Sequence, residues 1–336
     1  PEMCLAAHSP SLIQAIRVAT PDEWDDAWNG CASATYFQSR EWADAWSAYT
    51  AGTLRPAPLH LTFASGQSAV LPLSLKMREE SPQFVMSPAG TYGGWISAER
   101  LESKHAAAMT VYLTSGLGNL YWQSNPFDEL AVEAQLPLSN HNDTHVIDLS
   151  HGWDAVRDAW SASCRRAERK AQSSGILVKE AVIEHEWREY YALYEDSLRR
   201  WGNRARGRYG WSLFQQLHRL QSLHIKLWIA TTAQGQAAAG AVMCYAGTHA
   251  VYWHGAALES LLSLRPMNLL FAEVIRHACQ SGYRWFDFNP SAGIEGVRRF
   301  KEGFGAKPLS CPIVHIMESG NAKQGGRTGY MPPDSL

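Results

Sequence analysis

The sequence lacks the features that would place it in several common protein classes. Its six cysteines include no CxxC pair and no short regular spacing, which is typical of reduced thiols rather than of a disulfide scaffold. No apolar run approaches the roughly 20 residues that a membrane helix needs. The first residues show no basic stretch followed by an apolar one. We therefore expect a cytoplasmic protein that does not insert into a membrane.

The common catalytic signatures are also missing. The chain has no GxGxxG dinucleotide fingerprint, no Walker lysine motif and no GxSxG nucleophile elbow. His141, His145 and His151 are loosely spaced, without an HExxH helix or a CxxC partner, so we expect no metal. The net charge of −2 disfavours a protein coated in nucleic acid, although it leaves room for a local basic patch.

What the chain does have is length and apolar residues. It contains 336 residues, of which 46% are hydrophobic, and single cores grow inefficiently beyond about 250 residues. Two folded domains are therefore expected. Fourteen tryptophans are an unusual count, and such rings form cores or line ligand grooves.

The order of predicted elements repeats along the chain. Helices are predicted to begin near Thr20 and Ser39, followed by a hairpin around Gly66 and a helix over 98–116. The later part is predicted to contain these elements: one helix over 153–173, helices at 185–201 and 211–218, strands at 223–231, 238–245 and 249–255, a helix over 266–281 and a strand at 284–288. The pattern indicates a layered α+β architecture whose second half echoes the first.

Five segments carry a resemblance to a known family. They are 35–46 (TYFQSREWADAW), 71–77, 87–95 with its glycine-rich loop, 160–178 (WSASCRRAERKAQSSGILV) and 282–305, which contains DFNP and FKEGFG. In this order and spacing they resemble the Fem family of aminoacyltransferases, whose domains are each built on the GNAT acyltransferase fold. The resemblance implies two GNAT-like domains, with mixed, mostly antiparallel sheets, packed around a central cleft. We place the acceptor side at 14–150, the donor side at 151–316 and a flexible tail at 317–336.

The resemblance also implies the site residues. Lys301, in the FK pair, is expected to face the donor and the charge that develops at the reacting ester. Asp287 and His254 are the other catalytic candidates, with His254 as a proton acceptor. On a regular strand, Tyr252 and His254 share one face and Trp253 takes the other. The expected substrate-binding residues are Gln38, Trp42, Tyr92, Trp95, Arg200, Arg204, Tyr252, Asn289, Arg298 and Phe300.

The sequence contains two local clusters of basic residues, although its net charge is close to zero. Residues 199–208 (RRWGNRARGR) hold five arginines and no acid, which is typical of either a phosphate-facing loop or a charged linker. Arg165, Arg166, Arg169 and Lys170 form the second cluster, on a predicted helix. It is either a solvated helix face or a nucleic-acid contact.

The favoured function is transfer of an aminoacyl group from charged tRNA to an amine, with no cofactor. The expected acceptor is an amine of a small natural product of antibiotic type or of a peptidoglycan-type precursor. Fem members that act on nucleotide-linked cell-wall precursors commonly carry a lysine where Asp44 and Trp46 stand here, and this departure favours the small natural product. An acyl-CoA-dependent N-acyltransferase is the alternative, although 265–268 (RPMN) lacks the glycines of a CoA loop. A catalytically silent binding module is the third hypothesis.

Overall fold

The computed structural model describes residues 12–77, 82–134, 136–137, 140–202, 205, 207–291 and 293–317. Its helices are α1 Pro21–Gly30, α2 Arg40–Tyr49, α3 Ser103–Ser115, α4 Glu129–Glu133, α5 Gly152–Asp158, α6 Ala162–Ser173, α7 Glu184–Trp201, α8 Trp211–Arg219, α9 Pro266–Gln280 and α10 Glu295–Gly303. Its strands are β1 Ile13–Val18, β2 Leu54–Pro56, β3 Leu59–Phe63, β4 Ser68–Leu71, β5 Ser74–Lys76, β6 Gln83–Val85, β7 Tyr92–Gly93, β8 Leu120–Ser124, β9 Asp143–Asp148, β10 Leu177–Ala181, β11 Ile225–Thr231, β12 Ala237–Ala246, β13 His249–Ala257, β14 Trp285–Asp287, β15 Lys307–Ser310 and β16 Ile313–Ile316.

The strands form two large sheets and one small one within the described residues. The small sheet has the order β1-β3-β4, and the first large sheet has the order β16-β8-β6-β5-β2, with β7 paired to β8. The second large sheet has the order β10-β11-β12-β13-β14-β9-β15. Most neighbouring strands are antiparallel, and helices cover the sheets. The predicted α+β class is confirmed.

Two strands cross between the halves of the chain. Strand β9 precedes the predicted boundary at residues 150 and 151, yet it pairs with β14 and β15 in the second large sheet. Strand β16 is the last strand of the predicted second half, yet it pairs with β8 in the first large sheet. The element order did not indicate this exchange, because strand partners are set by long-range packing. The exact domain bounds stay a prediction.

The first two helices begin where the sequence predicted. The Thr20 hydroxyl accepts a hydrogen bond from the Glu23 amide at 3.3 Å, and the Glu23 carboxylate accepts from the Thr20 amide at 2.9 Å. This capping box satisfies two amide groups that the helix itself leaves unpaired. The Ser39 hydroxyl caps α2 in the same way, accepting from the Trp42 amide at 3.1 Å.

The single helix predicted over 153–173 is wrong. The chain breaks it into α5 and α6 at Trp160, whose side chain is 2% exposed and packs on the ring of Phe304 at 5.0 Å. Ser161 then starts a new helix, since its hydroxyl accepts from the Cys164 amide at 3.1 Å. Burial of a large ring and a good capping residue together outweigh the helical pattern.

One hydrophobic core continues across both halves. It includes Trp42 and Trp46 from α2, Tyr190 and Tyr194 from α7, and Phe214 from α8. A large shared apolar interface holds two domains in one arrangement, in contrast to the small polar contacts of mobile domains. The cleft between the halves therefore has fixed walls.

The predicted flexible tail lies outside the described residues apart from Met317. Within the part of the chain that the structure describes, no helix combines the length and the apolar character needed to cross a bilayer.

Candidate active site

A cavity of about 660 Å³ lies between the two halves of the chain. Its volume is in the range of sites that hold small organic ligands. We call it the aromatic cleft, because one side is lined by Tyr194, Trp201, Tyr209, Tyr252, Trp253 and His254. The amide-bearing residues in its lining are Gln123, Asn140, Asn142 and Asn289. The described lining residues include no Asp, Glu, Lys or Arg.

A β-bulge brings three consecutive ring-bearing residues into the aromatic cleft. In β13, His254 pairs with Val242 and Tyr252 pairs with Met243, so Trp253 has no partner of its own. The extra residue interrupts the alternation of faces. Tyr252, Trp253 and His254 therefore all line the cleft, and the prediction that Trp253 faces away from the other two is wrong.

Two strained residues line the aromatic cleft from opposite halves of the chain. Ala89 has a φ of 56° and Asn289 has a φ of 59°, both in the left-handed region. This conformation costs about 1–2 kcal/mol for a residue with a Cβ, and it concentrates at functional sites. Asn289 is held by its own bonds, since its amide donates to Asp287 at 2.8 Å and its side chain donates to the Tyr252 carbonyl at 2.6 Å.

Lys301 and Asp287 lie behind this wall rather than on its surface. Lys301 is 2% exposed and donates a hydrogen bond to the Asn289 carbonyl. Burial lowers the pKa of Lys301 to about 8, an effect that the charge of Asp287 opposes. Burial raises the pKa of Asp287, which accepts a hydrogen bond from the Thr144 hydroxyl. The Lys301 ammonium therefore contacts the cleft wall at the Asn289 carbonyl.

His254 lines the aromatic cleft as a neutral ring. Its Nδ1 is hydrogen bonded to the Tyr190 hydroxyl, and the Tyr194 ring packs edge-on against it at 4.5 Å. Burial lowers the pKa of His254 to about 3. An imidazole with so low a pKa is a weak proton acceptor at pH 7. The environment favours a hydrogen-bonding role for His254 over that of a general base.

The four substrate-binding candidates from the first half lie in the core. Gln38 is 1% exposed and accepts from the Thr35 amide at 3.0 Å. Tyr92 and Trp95 are buried, and neither is in the described lining of the cleft. Trp42 is also buried, but its ring contacts Trp253 at 5.1 Å, so it supports the cleft wall from behind.

The remaining candidates are divided between several places. Tyr252 and Asn289 line the aromatic cleft. Arg200 donates to the Ala257 carbonyl at 3.3 Å, outside the described lining of the cleft. Arg298 is exposed on α10 and bridges two glutamates of its own helix. Arg204 lies outside the described residues, and Phe300 lines a second cavity.

This second cavity, of about 450 Å³, opens where α6, α9 and α10 meet. We call it the cationic pocket, after the four basic side chains in its lining, Arg166, Lys170, Arg265 and Arg299. No acidic residue is among the described residues that line it. Arg299 contacts the Glu295 carboxylate at 2.7 Å. The other three cations have no ion pair to any residue whose position is described.

Two helices begin at the cationic pocket. Ser161, in its lining, caps α6, and Arg265 adopts a left-handed conformation with φ 62° just before Pro266 opens α9. The first amides of a helix are unpaired within the helix, and the helix dipole is positive at that end. Exposed guanidinium and ammonium groups add full charges to these partial ones. The arrangement is suited to a phosphate or another anion.

Sequence reasoning found part of each cavity. The cluster that contains Arg166 and Lys170 was predicted from the sequence, because residues four apart lie on the same face of a helix. Their convergence with Arg265 and Arg299 was not, because it depends on how three helices pack. Tyr194, Trp201 and Tyr209 were also missed, although aromatic residues flank the arginine-rich segment.

Comparison with known proteins identifies the type of domain. Residues 160–302 match the acetyltransferase (GNAT) domain family. The structure is similar to that of FemX, with a TM-score of 0.68 and 12% identity, over 90% of this chain and 98% of that one. No curated protein matches the chain in sequence.

Two further solved structures are also similar. One is L-PGS from Bacillus licheniformis, with a TM-score of 0.54 and 11% identity, over 91% of this chain and 94% of that one. The other is the C-terminal domain (DUF2156) of a proposed lysylphosphatidylglycerol synthetase from Agrobacterium fabrum, with a TM-score of 0.57 and 12% identity, over 88% of this chain and 92% of that one.

Structural similarity at such low identity establishes the fold. The matched GNAT domain contains the four basic residues of the cationic pocket and the bulged strand β13. The resemblance inferred from the five sequence segments is confirmed at the level of fold. The chain has a Fem-like GNAT fold, and its residues 160–302 are similar to the acetyltransferase (GNAT) domain family.

Proposed function

We propose that this protein is an aminoacyltransferase that takes an aminoacyl group from charged tRNA and joins it to an amine of a small natural product or a peptidoglycan-type precursor. One observation carries the proposal. The segment 289–303 has the aromatic cleft on one side, through Asn289, and the cationic pocket on the other, through Arg299 and Phe300. In a transferase the reacting ends of the donor and the acceptor must come into contact, and the hydrogen bond from Lys301 to the Asn289 carbonyl joins the helix that carries Arg299 and Phe300 to the wall of the aromatic cleft.

The cationic pocket supports an anionic donor. The acceptor end of tRNA carries a phosphate at each nucleotide, and basic side chains supply most of the affinity for such a backbone. The similar structures include FemX and L-PGS, and the name lysylphosphatidylglycerol synthetase denotes an aminoacylated product. An aminoacyl ester is an activated group, so the transfer requires neither ATP nor a metal.

The proposed reaction is attack of an amine on an ester. The lone pair of the amine nitrogen forms a bond to the ester carbonyl carbon, and the carbonyl oxygen becomes an oxyanion. We assign stabilisation of that charge to the Lys301 ammonium, which donates a hydrogen bond to the Asn289 carbonyl at the cleft wall. The bond to the ribose oxygen then breaks, the amine loses a proton, and the ribose oxygen gains one. The products are an amide and uncharged tRNA.

An acyl-CoA donor is the second candidate, and one observation favours it. The start of α9 at Arg265 lies in the segment where a GNAT domain is expected to hold the CoA pyrophosphate, and the cationic pocket is there. Side-chain cations replace the glycine amides of the usual loop. A pyrophosphate and an RNA backbone share the same charge, so the pocket alone is compatible with either donor.

The test is a transfer assay with two donors. The protein is incubated with a mixture of amines and either a full set of charged tRNAs or acetyl-CoA, and the amines are analysed by mass spectrometry. We expect a mass increase equal to one aminoacyl residue with charged tRNA, and its loss after ribonuclease treatment. A product that requires acetyl-CoA and survives ribonuclease would contradict the tRNA donor and establish the alternative.

A further inference from the structure

The residues that line the aromatic cleft indicate which class of amine serves as the acceptor. We propose that the cleft selects an amine attached through a short aliphatic link to a flat aromatic ring. This rests on the proposed function, because it names the acceptor class of the same site. The ring lies on the wall formed by Tyr209 and Trp253, and the amine lies near Asn289.

The ring-binding wall consists of flat, partly exposed faces. The rings of Tyr209 and Trp253 are 5.8 Å apart and inclined by 31°, and Tyr194 stacks behind Tyr209 at 6.4 Å and 29°. Tyr209 and Trp253 each present a partly exposed ring to the cavity. A planar ring gains both apolar contact and stacking energy on such a surface, which an aliphatic chain gains only in part.

The wall is held rigid from behind. Buried Trp42 contacts Trp253 edge-on at 5.1 Å, and buried Trp46 contacts Tyr209 edge-on at 5.6 Å. Both belong to the core that continues across the two halves. A surface that is ordered before the ligand arrives loses little conformational entropy when it binds. Selectivity for ring shape follows from that rigidity.

The aromatic cleft also offers polar groups without a fixed charge. Gln123, Asn142 and Asn289 carry amide groups, and the lining within the described ranges includes no carboxylate. Such a site gives an ammonium ion no counter-charge, so it favours the neutral amine, which is the form that attacks a carbonyl.

The experiment measures binding without any donor. Isothermal titration calorimetry compares tryptamine, hexylamine and UDP-N-acetylglucosamine on the full chain. Three substitutions are tested in parallel: Trp253→Leu, Tyr209→Leu, and Tyr112→Leu as a matched loss of a partly buried ring on α3. Trp253→Phe, which keeps a smaller ring, is included in case the leucine variant unfolds, and a thermal melt checks each protein.

We expect tryptamine to bind about tenfold more tightly than hexylamine, as ring stacking predicts. Trp253→Leu and Tyr209→Leu remove that preference, Trp253→Phe keeps part of it, and Tyr112→Leu leaves it unchanged. Equal binding of the two amines, an unchanged preference in both leucine variants, or tighter binding of the nucleotide sugar would overturn the proposal. If tryptamine binds as expected but no aminoacyl transfer from tRNA is found, the donor assignment fails and the acceptor class stands.

Discussion

The two cavities differ in almost every physical property although they share the segment 289–303. The cationic pocket is rich in exposed positive charge and lies within one half, where α6, α9 and α10 meet. The aromatic cleft lies between the halves, and its described lining offers rings and amides. The difference shows that one wall can divide a site for a charged ligand from a site for a ring-bearing ligand. Consecutive residues of α10 achieve this, since Arg299 and Phe300 line the pocket and Lys301 supports the cleft.

The largest expected effect comes from removing Lys301. Lys301→Met removes the hydrogen bond to the Asn289 carbonyl and the positive charge that acts on buried Asp287, and leaving a buried charge uncompensated costs about 3–5 kcal/mol. We expect urea unfolding to show that loss, together with weaker tryptamine binding and little change at the cationic pocket. Lys104→Met, at an exposed ion pair with Glu102, is the control and leaves the stability nearly unchanged. Equal losses in the two variants would refute the structural role of Lys301.

A pair of glycine substitutions sharpens the comparison. A Cβ at Gly255 meets the Tyr252 hydroxyl at 2.3 Å, whereas a Cβ at Gly296 in α10 meets nothing within 4 Å. Gly255→Ala therefore crowds the cleft wall and costs about 1–3 kcal/mol. Gly296→Ala raises the free energy of unfolding by up to about 1 kcal/mol, because alanine favours the helix. Thermal melts of both variants are the measurement, and the same sign of change in both would contradict the packing described for β13.

The aromatic cleft contains a residue whose protonation links stability to pH. Burial lowers the pKa of His254 to about 3, below its ordinary value of about 6.5. Its neutral form therefore contributes stability that is present above pH 6.5 and is lost as the pH falls towards 3. We expect the stability difference between the parent and His254→Gln to shrink from pH 6.5 to pH 4 in urea unfolding. A difference that stays constant over this range would show that His254 titrates normally.

Local signals in the sequence predicted much of the fold. Thr20 and Ser39 fixed the starts of α1 and α2, because a capping bond involves only residues within one turn. The meander and the helix after it were also predicted from apolar runs and turn residues. The features that the sequence did not predict depend on long-range contacts. The exchange of β9 and β16 and the helix break at Trp160 depend on partners distant in sequence.

The candidate site was predicted only in part, for a related reason. The resemblance pointed to Lys301, Asp287 and Asn289, and the structure brings these three together at the end of β14. The resemblance did not indicate that Lys301 lies behind the wall of the aromatic cleft while Arg299 faces the cationic pocket. Both are basic residues of one helix, so the sequence does not distinguish their positions. The bulge that turns Trp253 into the cleft depends on pairing with β12, which no pattern within β13 specifies.

The most direct test of the account is a comparison of KM values in a double charge reversal, Arg166→Glu with Lys170→Glu. Both residues line the cationic pocket and neither lines the aromatic cleft. The account predicts that KM for charged tRNA rises by at least about tenfold and that its salt dependence weakens, while KM for the ring amine is unchanged. Arg55→Glu, an exposed charge reversal on β2, is the control. An unchanged KM for tRNA, or a rise in KM for the amine alone, would contradict the assignment of the two cavities.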